Sequence, residues 1–168
     1  SFTGSFSVAA AARADAITTS VDASEVAQLW AKDNFVLNGL EPQVHEFVKK
    51  DVFTALAAYA TQDRQFDVVF LDPPTISRVK VRNSGPDRNS SATYVPSISS
   101  QSGKTHFSAL DNYSDLVGLA SPLVAPGGYM VCFVNTHSLD KEKWRQSIKA
   151  GLDSLIPRMK THLETERA

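Results

Sequence analysis

The sequence has little cysteine, little net charge and no long apolar run, and each shortage excludes a class of protein. Cys132 is the one cysteine among 168 residues, so neither a disulfide framework nor a cysteine zinc site is expected. The net charge of −1 argues against a polycation that wraps nucleic acid, although it permits a local basic face. No apolar run approaches the length of a membrane-spanning helix. A single domain in a reducing compartment is expected, with the cytoplasm as the default and an organelle such as the mitochondrion left open.

Three ligand-binding and catalytic patterns are missing as well. The turn Phe2–Phe6 carries Gly4 alone in place of G-x-G-x-x-G, and neither a Walker-type lysine motif nor a G-x-S-x-G elbow occurs. A nicotinamide dinucleotide normally needs the first pattern to seat its pyrophosphate on a helix N-terminus, and α/β-hydrolases need the last. The sequence therefore favours a ligand without phosphates.

Hydrophobic patterning predicts strands that alternate with helices. Strands are predicted at 16–22, 44–51, 66–71 and 129–135, and helices from about Ser7, from Ser24 to Asn38, and at 52–60, 113–124 and 141–155. Ser24 is predicted as a helix N-cap, Pro126-Gly127-Gly128 is predicted to end the connection before the last strand, and the polar tail after Pro157 is predicted to be helical. On the second helix, four apolar residues fall on one stripe, the pattern of a core-facing surface: Val26, Leu29, Trp30 and Leu37. The alternation predicts an α/β fold, a Rossmann-like parallel sheet with helices on both faces.

The segment 77–106 interrupts this pattern. It is rich in serine and asparagine, poor in large apolar residues and dotted with arginine and lysine. It is too long for a simple connection. Two interpretations remain open: a disordered insertion, or a mobile basic loop that contacts phosphates beside the active edge.

Acidic residues and tight turns stand where the predicted strands end. In "FDVVFLDPPTIS", Phe66 to Ser77, an apolar strand stops at Asp72 because two prolines cannot continue it. Gly4 marks a turn before the first helix, and Asp22 follows it at the spacing of an acid that binds a ribose hydroxyl pair. Asp51 ends another strand. Any one of them could be a turn or cap residue, but together they indicate a nucleoside-shaped site at one sheet edge.

These motifs resemble a known family. The succession FTGSF, TTSVD, W-x-x-x-N-x-x-L-N-G-L, DVF and FDVVFLDPPT is similar to class I S-adenosylmethionine-dependent methyltransferases that act on large-subunit ribosomal RNA, of the K/L-like and I-like branches. The likeness covers Phe2 to Val134. It implies S-adenosyl-L-methionine as the cofactor, with its methionine part approached by Phe2, Thr3, Gly4, Ser5 and Phe6. It also implies that Asp22 holds the ribose hydroxyls, that Ala23, Asp51 and Val52 line the adenine, and that Asp72 lies near the methyl donor.

The branch of the family decides which atom is methylated. The 5-methylcytosine branch needs a cysteine nucleophile, and its position corresponds here to Asn135, whereas Cys132 lies inside the strand as a small hydrophobe would. The resemblance is closer to the branch that makes 7-methylguanine, in which a ring nitrogen attacks the methyl donor directly. The candidates on the base side are Asp72 and Thr75, with Pro73 and Pro74 shaping the pocket, and then Asn135 and His137.

The resemblance also sets expectations for the domain and its partners. The family's first strand, which should precede FTG, is not in the sequence, so residues 1–168 are expected to be one methyltransferase domain truncated at its N-terminus, with 77–106 as an insertion. The expected partner is ribosomal RNA or a pre-ribosomal particle, with no membrane and with an additional RNA-binding domain upstream. The main rival is a catalytically inactive ribosome assembly factor, against which the intact Asp22, Asp51 and Asp72 argue.

Overall fold

A computed structural model describes residues 2–74, 76–79, 105–135 and 140–154. The chain divides into two compact units, residues 1–59 and 60–168. In both units, parallel strands alternate with helices, which confirms the predicted α/β class. The predicted single domain and the placement of helices on both faces of one sheet stay predictions.

The first unit is a parallel pair of strands with helices before, between and after them. Its elements are α1 (Ser5–Ala14), β1 (Thr19–Asp22), α2 (Glu25–Leu37), β2 (Glu46–Lys49) and α3 (Val52–Thr61), whose last two residues fall in the second unit. The parallel register sets Asp22 opposite Lys49, so β1 and β2 end at the same edge. The buried Phe35 packs edge-on against Phe47 of β2, with 5.3 Å between ring centroids, and this contact fastens α2 to the strands.

The predicted core face of α2 is wrong. Trp30 is 50% exposed and Leu37 80% exposed, and Val26 and Leu29 are exposed as well. The face that packs inward combines two alanines with two larger residues, and its buried members are Ala27, Gln28, Ala31 and Phe35. Small side chains let the helix backbone approach its neighbours closely, which hydrophobicity alone does not signal.

The second unit contains a parallel pair, an antiparallel pair and two packed helices. Its elements are β3 (Phe66–Leu71), β4 (Ile76–Val79), β5 (Thr105–Ser108), α4 (Ala109–Ala120), β6 (Val124–Cys132) and α5 (Lys141–Asp153). β3 pairs in parallel with β6, so that Leu71 faces Cys132, and β4 pairs antiparallel with β5. α4 and α5 pack so closely that a Cβ on Gly151 would lie 2.5 Å from the Ser114 carbonyl oxygen.

Boundaries in the second unit differ from the prediction. The bounds of β3 are as predicted, but α4 ends and β6 begins earlier than expected. Pro126-Gly127-Gly128 was predicted to precede the strand, but β6 runs through these residues. The strand accommodates them with a register irregularity against β3 and a left-handed Gly127 at φ +82°. β3 is also less buried than its composition predicts, since Val68 and Phe70 stay 45% and 43% exposed.

The ends of the predicted insertion form β4 and β5, which the sequence did not predict. Residues 80–104, and the predicted helical tail after Pro157, lie outside the described residues. Across the described ranges, no helix is both long enough and apolar enough to span a membrane.

Candidate functional site

Asp22, the last residue of β1, is held by two backbone donors. The N–H of Phe2 donates to Oδ2 and the N–H of Ser24 donates to Oδ1, each at 2.9 Å. Burial acts to raise the pKa of this carboxyl, whereas the hydrogen bonds from the Ser24 and Phe2 N–H groups act to lower it, and on balance the pKa lies below its usual value. The two donors fix the direction of this carboxylate, and a carboxylate is an acceptor of the kind that binds hydroxyl groups.

The turn Phe2–Gly4 enters α1 in an unusual backbone conformation. Gly4 has φ +71° and a Cβ there would lie 2.8 Å from the Ala31 Cβ, so only glycine fits without a shift. Phe2 also has a positive φ, +38°. Because the Phe2 N–H donates to Asp22, the turn lies at the end of β1, and its approach to a ligand stays a prediction. Ser5 and Phe6 follow in the first turn of α1, and both are exposed.

Asp51 lies two residues beyond β2 and caps α3. Its Oδ1 accepts from the Thr54 N–H at 3.1 Å, and its carbonyl oxygen accepts from the Ala55 N–H at 2.9 Å. Because β1 and β2 end in register, Asp51 stands at the same edge as Asp22. Ala23 is exposed next to Asp22, and Val52 is half-buried in the first turn of α3. The predicted cofactor residues of the first unit thus lie along one edge of its strands.

Asp72 follows β3 directly and is exposed, with Pro73 half-buried and Pro74 exposed beyond it. Asn135 is exposed three residues after β6. Thr75 and His137 lie outside the described residues. The roles proposed for these side chains remain predictions.

Tyr113 of α4 is the site feature that sequence reasoning missed. Its buried hydroxyl donates to the Phe133 carbonyl oxygen at 2.8 Å and lies 3.3 Å from the Leu71 carbonyl oxygen. The Phe133 N–H donates to the same Leu71 oxygen at 2.8 Å. The hydroxyl therefore ties the carboxyl ends of β3 and β6 together, immediately before Asp72. A tyrosine on an otherwise apolar helix face was the available signal, because a buried hydroxyl needs a partner.

Burial keeps the thiol of Cys132, a neighbour of Tyr113, in its protonated form. Burial raises the pKa of the Tyr113 hydroxyl well above its usual range, and the nearby Cys132 and Asp72 add to the shift. Burial also raises the pKa of the Cys132 thiol, although a hydrogen bond with Tyr113 partly offsets this. The thiol is therefore the form present at neutral pH, and a thiol is a poor nucleophile.

These two shifted groups predict a loss of stability at alkaline pH. Unfolded cysteine and tyrosine release their protons near pH 9.0 and 10.0, while the folded groups keep theirs, so the free energy of unfolding should fall as the pH rises above about 9. Urea titrations from pH 7 to 10.5 measure this slope. Tyr113→Phe should be less stable at pH 7 by about 1 kcal/mol, since hydrogen bonds are lost, and should show a shallower alkaline slope. The exposed Tyr129→Phe is the control, and equal slopes in all three proteins would contradict the assignment.

Within the described parts of the chain, no group of three or more histidine, cysteine, aspartate or glutamate side chains is arranged to hold a metal ion. The polar groups described at the ends of β1 and β2 include the carboxylates of Asp22 and Asp51. Carboxylates suit hydroxyl and amino groups of an organic ligand.

The fold is that of the class I S-adenosylmethionine-dependent methyltransferases. A protein assigned as a methyltransferase and complexed with SAH superimposes with a TM-score of 0.70 at 23% identity, covering 89% of this chain and 33% of the other. The SAM-dependent methyltransferase of Agrobacterium tumefaciens gives 0.68 at 21% identity, covering 90% and 41%.

Sequence comparisons point to one kind of methyltransferase. The chain is 42% identical over 80 residues to ribosomal RNA large subunit methyltransferase K of Neisseria meningitidis serogroup B, covering 48% of this chain and 23% of the relative. It is 34% identical over 133 residues to ribosomal RNA large subunit methyltransferase I of Serratia proteamaculans, covering 79% and 28%. A family model described as "Conserved hypothetical protein 95" matches residues 1–82. The resemblance to large-subunit ribosomal RNA methyltransferases is confirmed, and the chain spans about a quarter of the length of these two relatives.

Proposed function

We propose that this chain is the cofactor-binding and catalytic part of an S-adenosylmethionine-dependent enzyme that methylates large-subunit ribosomal RNA. The observation that carries the proposal is the carboxylate of Asp22, fixed by two backbone donors at the end of β1 and joined to the Phe2–Gly4 turn. The similarity to ribosomal RNA large subunit methyltransferases K and I supports the same conclusion.

The residues present fit S-adenosylmethionine part by part. The carboxylate of Asp22 suits the ribose hydroxyl pair, and Asp51 suits the adenine amino group, with Ala23 and Val52 beside the ring. The turn Phe2–Phe6 leads into α1 and is joined to Asp22 by the Phe2 N–H, and we assign the methionine part to it. When bound, the cofactor supplies an electrophilic methyl group on a sulfonium sulfur.

For the target base, we propose a guanine nitrogen. Asp72 is an exposed carboxylate on a stiff Asp-Pro-Pro turn, and a carboxylate accepts hydrogen bonds from the imino and amino groups of guanine. Such contacts would orient the base for direct attack by a ring or amino nitrogen, with no covalent enzyme intermediate. Pro73 and Pro74 shape the pocket, with Thr75 and Asn135 as further base contacts.

The chemistry of cytosine fits these residues less well. Methylation at carbon 5 of cytosine needs a thiolate that adds to the ring. Asn135 occupies the position at which the resemblance would place that cysteine, and burial raises the pKa of the Cys132 thiol. A 5-methylcytosine activity would therefore require Cys132 to leave its contact with Tyr113 and to lose a proton.

The proposed partner is ribosomal RNA or a pre-ribosomal particle. Since the chain spans 23% and 28% of the two relatives, the remaining length in proteins of this kind can hold an RNA-binding domain. We expect such a domain to supply most of the RNA affinity, because this chain has a net charge of only −1.

Methyl transfer tests the proposal directly. The full-length protein is incubated with labelled S-adenosylmethionine and large-subunit ribosomal RNA that lacks the modification, and the digested nucleosides are identified by mass. Labelled methylguanosine is expected, and Asp72→Ala should reduce it by about 100-fold while leaving cofactor affinity nearly unchanged, because the base-side acceptor is lost. Labelled methylcytidine would overturn the guanine assignment, and no label together with no cofactor binding would favour an inactive assembly factor.

A further inference from the structure

One face of α2 holds the turn Phe2–Gly4 by three contacts, one to each residue of the turn. The Asn34 Nδ2 donates to the Thr3 carbonyl oxygen at 2.9 Å. The Phe2 ring meets Trp30 edge-on, with 6.0 Å between centroids and 82° between planes. Gly4 rests against Ala31, where a Cβ would come within 2.8 Å of the alanine methyl group. Trp30, Ala31 and Asn34 have the spacing of neighbours on one helical surface.

The contact from Asn34 fixes the orientation of the peptide group that joins Thr3 to Gly4. In a planar trans peptide, the carbonyl and the N–H point in opposite directions. Because the Thr3 carbonyl is directed to the amide of Asn34, the N–H of Gly4 is directed away from that amide. Phe2 and Thr3 form a turn with positive φ at Phe2 and at the following Gly4, and the contact from α2 adds a side-chain hydrogen bond that fixes the direction of the Thr3 carbonyl.

We propose that Asn34, supported by Trp30 and Ala31, is a positioning residue that sets the Phe2–Gly4 turn for the amino-acid end of the cofactor. This inference rests on the function proposed above. Asn34 is assigned no contact with the ligand and acts through the turn. Asn34 acts mainly on one end of the ligand, because Asp51 approaches from the end of β2 and Asp22 keeps its hydrogen bond from the Ser24 N–H when the turn moves.

Two ligands separate this role from a general structural one. S-adenosylhomocysteine carries the amino-acid part, whereas 5′-methylthioadenosine keeps the adenosine and the thioether but lacks the amino and carboxyl groups. Binding of both is measured calorimetrically to the full-length protein and to Asn34→Asp, which sets an oxygen against the Thr3 carbonyl. We expect the affinity for S-adenosylhomocysteine to fall about tenfold or more, as loss of an oriented hydrogen bond implies. The affinity for 5′-methylthioadenosine should fall much less, because the turn reaches Asp22 through the Phe2 N–H while the Ser24 N–H still holds that carboxylate.

Two further variants keep the test decisive. Asn34→Ala removes the donor without the repulsion, and it should show the same selective loss if Asn34→Asp does not fold. Asn38→Asp is the matched control, because the Asn38 Nδ2 donates to the Asn34 carbonyl oxygen at 2.7 Å on the same helix but does not hold the turn. If the Asn34 variants lost affinity equally for both ligands, or lost affinity for neither, the inference would be overturned while the proposed function stands. Failure of the wild-type protein to bind either ligand would instead overturn the proposed function and the inference with it.

Discussion

Asp22→Ala is expected to lower the affinity of the full-length protein for S-adenosylhomocysteine by about 100-fold, the effect of losing charge-assisted hydrogen bonds to two hydroxyls. The same change removes the acceptor of the Phe2 N–H, so the turn before α1 loses one of its attachments as well. Both consequences lower the affinity for S-adenosylhomocysteine. Isothermal titration of the wild-type and variant proteins measures the change.

Asp33→Ala is the matched control for this prediction. Asp33 is an exposed carboxylate on α2, in the same unit, and its removal changes the net charge equally. If Asp33→Ala weakened binding as much as Asp22→Ala, the effect would be long-range electrostatics rather than a contact. Unchanged affinity in Asp22→Ala would remove this residue from the site.

Gly4→Ala is expected to destabilise the protein by about 2–5 kcal/mol. A left-handed backbone costs an alanine about 1–2 kcal/mol, and forcing a Cβ to 2.8 Å from the Ala31 Cβ adds an overpacking cost of about 1–3 kcal/mol. Since both atoms belong to short, rigid side chains, relief requires α1 or α2 to shift. The turn that we assign to the cofactor would move with them, so affinity for S-adenosylhomocysteine should fall too. Denaturant titration gives the stability and calorimetry the affinity.

Gly39→Ala separates the two costs. Gly39 has nearly the same backbone angle, φ +68°, but a Cβ there would meet nothing within 4 Å. Its replacement should therefore cost only the conformational part, about 1–2 kcal/mol, and leave cofactor affinity unchanged. Equal destabilisation by the two substitutions would show that Gly4 is needed for its backbone angle alone and not for close packing against α2.

Predictions from the sequence were most accurate where a residue type at a given position has a single physical explanation. The two prolines after Asp72 stop β3, and its bounds agree with the prediction because no other local conformation suits an apolar run followed by Asp-Pro-Pro. Gly4 was predicted to mark a turn, and its φ of +71° is a backbone conformation that favours glycine. Ser24 was predicted as the N-cap of α2, and its Oγ accepts from the Ala27 N–H.

Predictions from the sequence were less accurate where several residues could fill the same structural role. The large apolar residues of α2 suggested the core face, but alanines and Phe35 occupy it, because the space left by the neighbouring backbone selects small side chains. Pro126-Gly127-Gly128 suggested the end of a connection, yet β6 accommodates it through an irregular register. The hydroxyl of Tyr113 could not be placed from sequence, since its two carbonyl neighbours are 42 and 20 residues away along the chain.

Titration of the full-length protein with S-adenosylhomocysteine, and in parallel with a nicotinamide dinucleotide, tests the central claim most directly. We expect one molecule of S-adenosylhomocysteine to bind per chain and the dinucleotide not to bind, since the turn at Gly4 lacks the glycine pattern that seats a pyrophosphate. Binding of the dinucleotide in preference, or no binding of S-adenosylhomocysteine, would contradict the assignment of this edge to a methyl-donor cofactor.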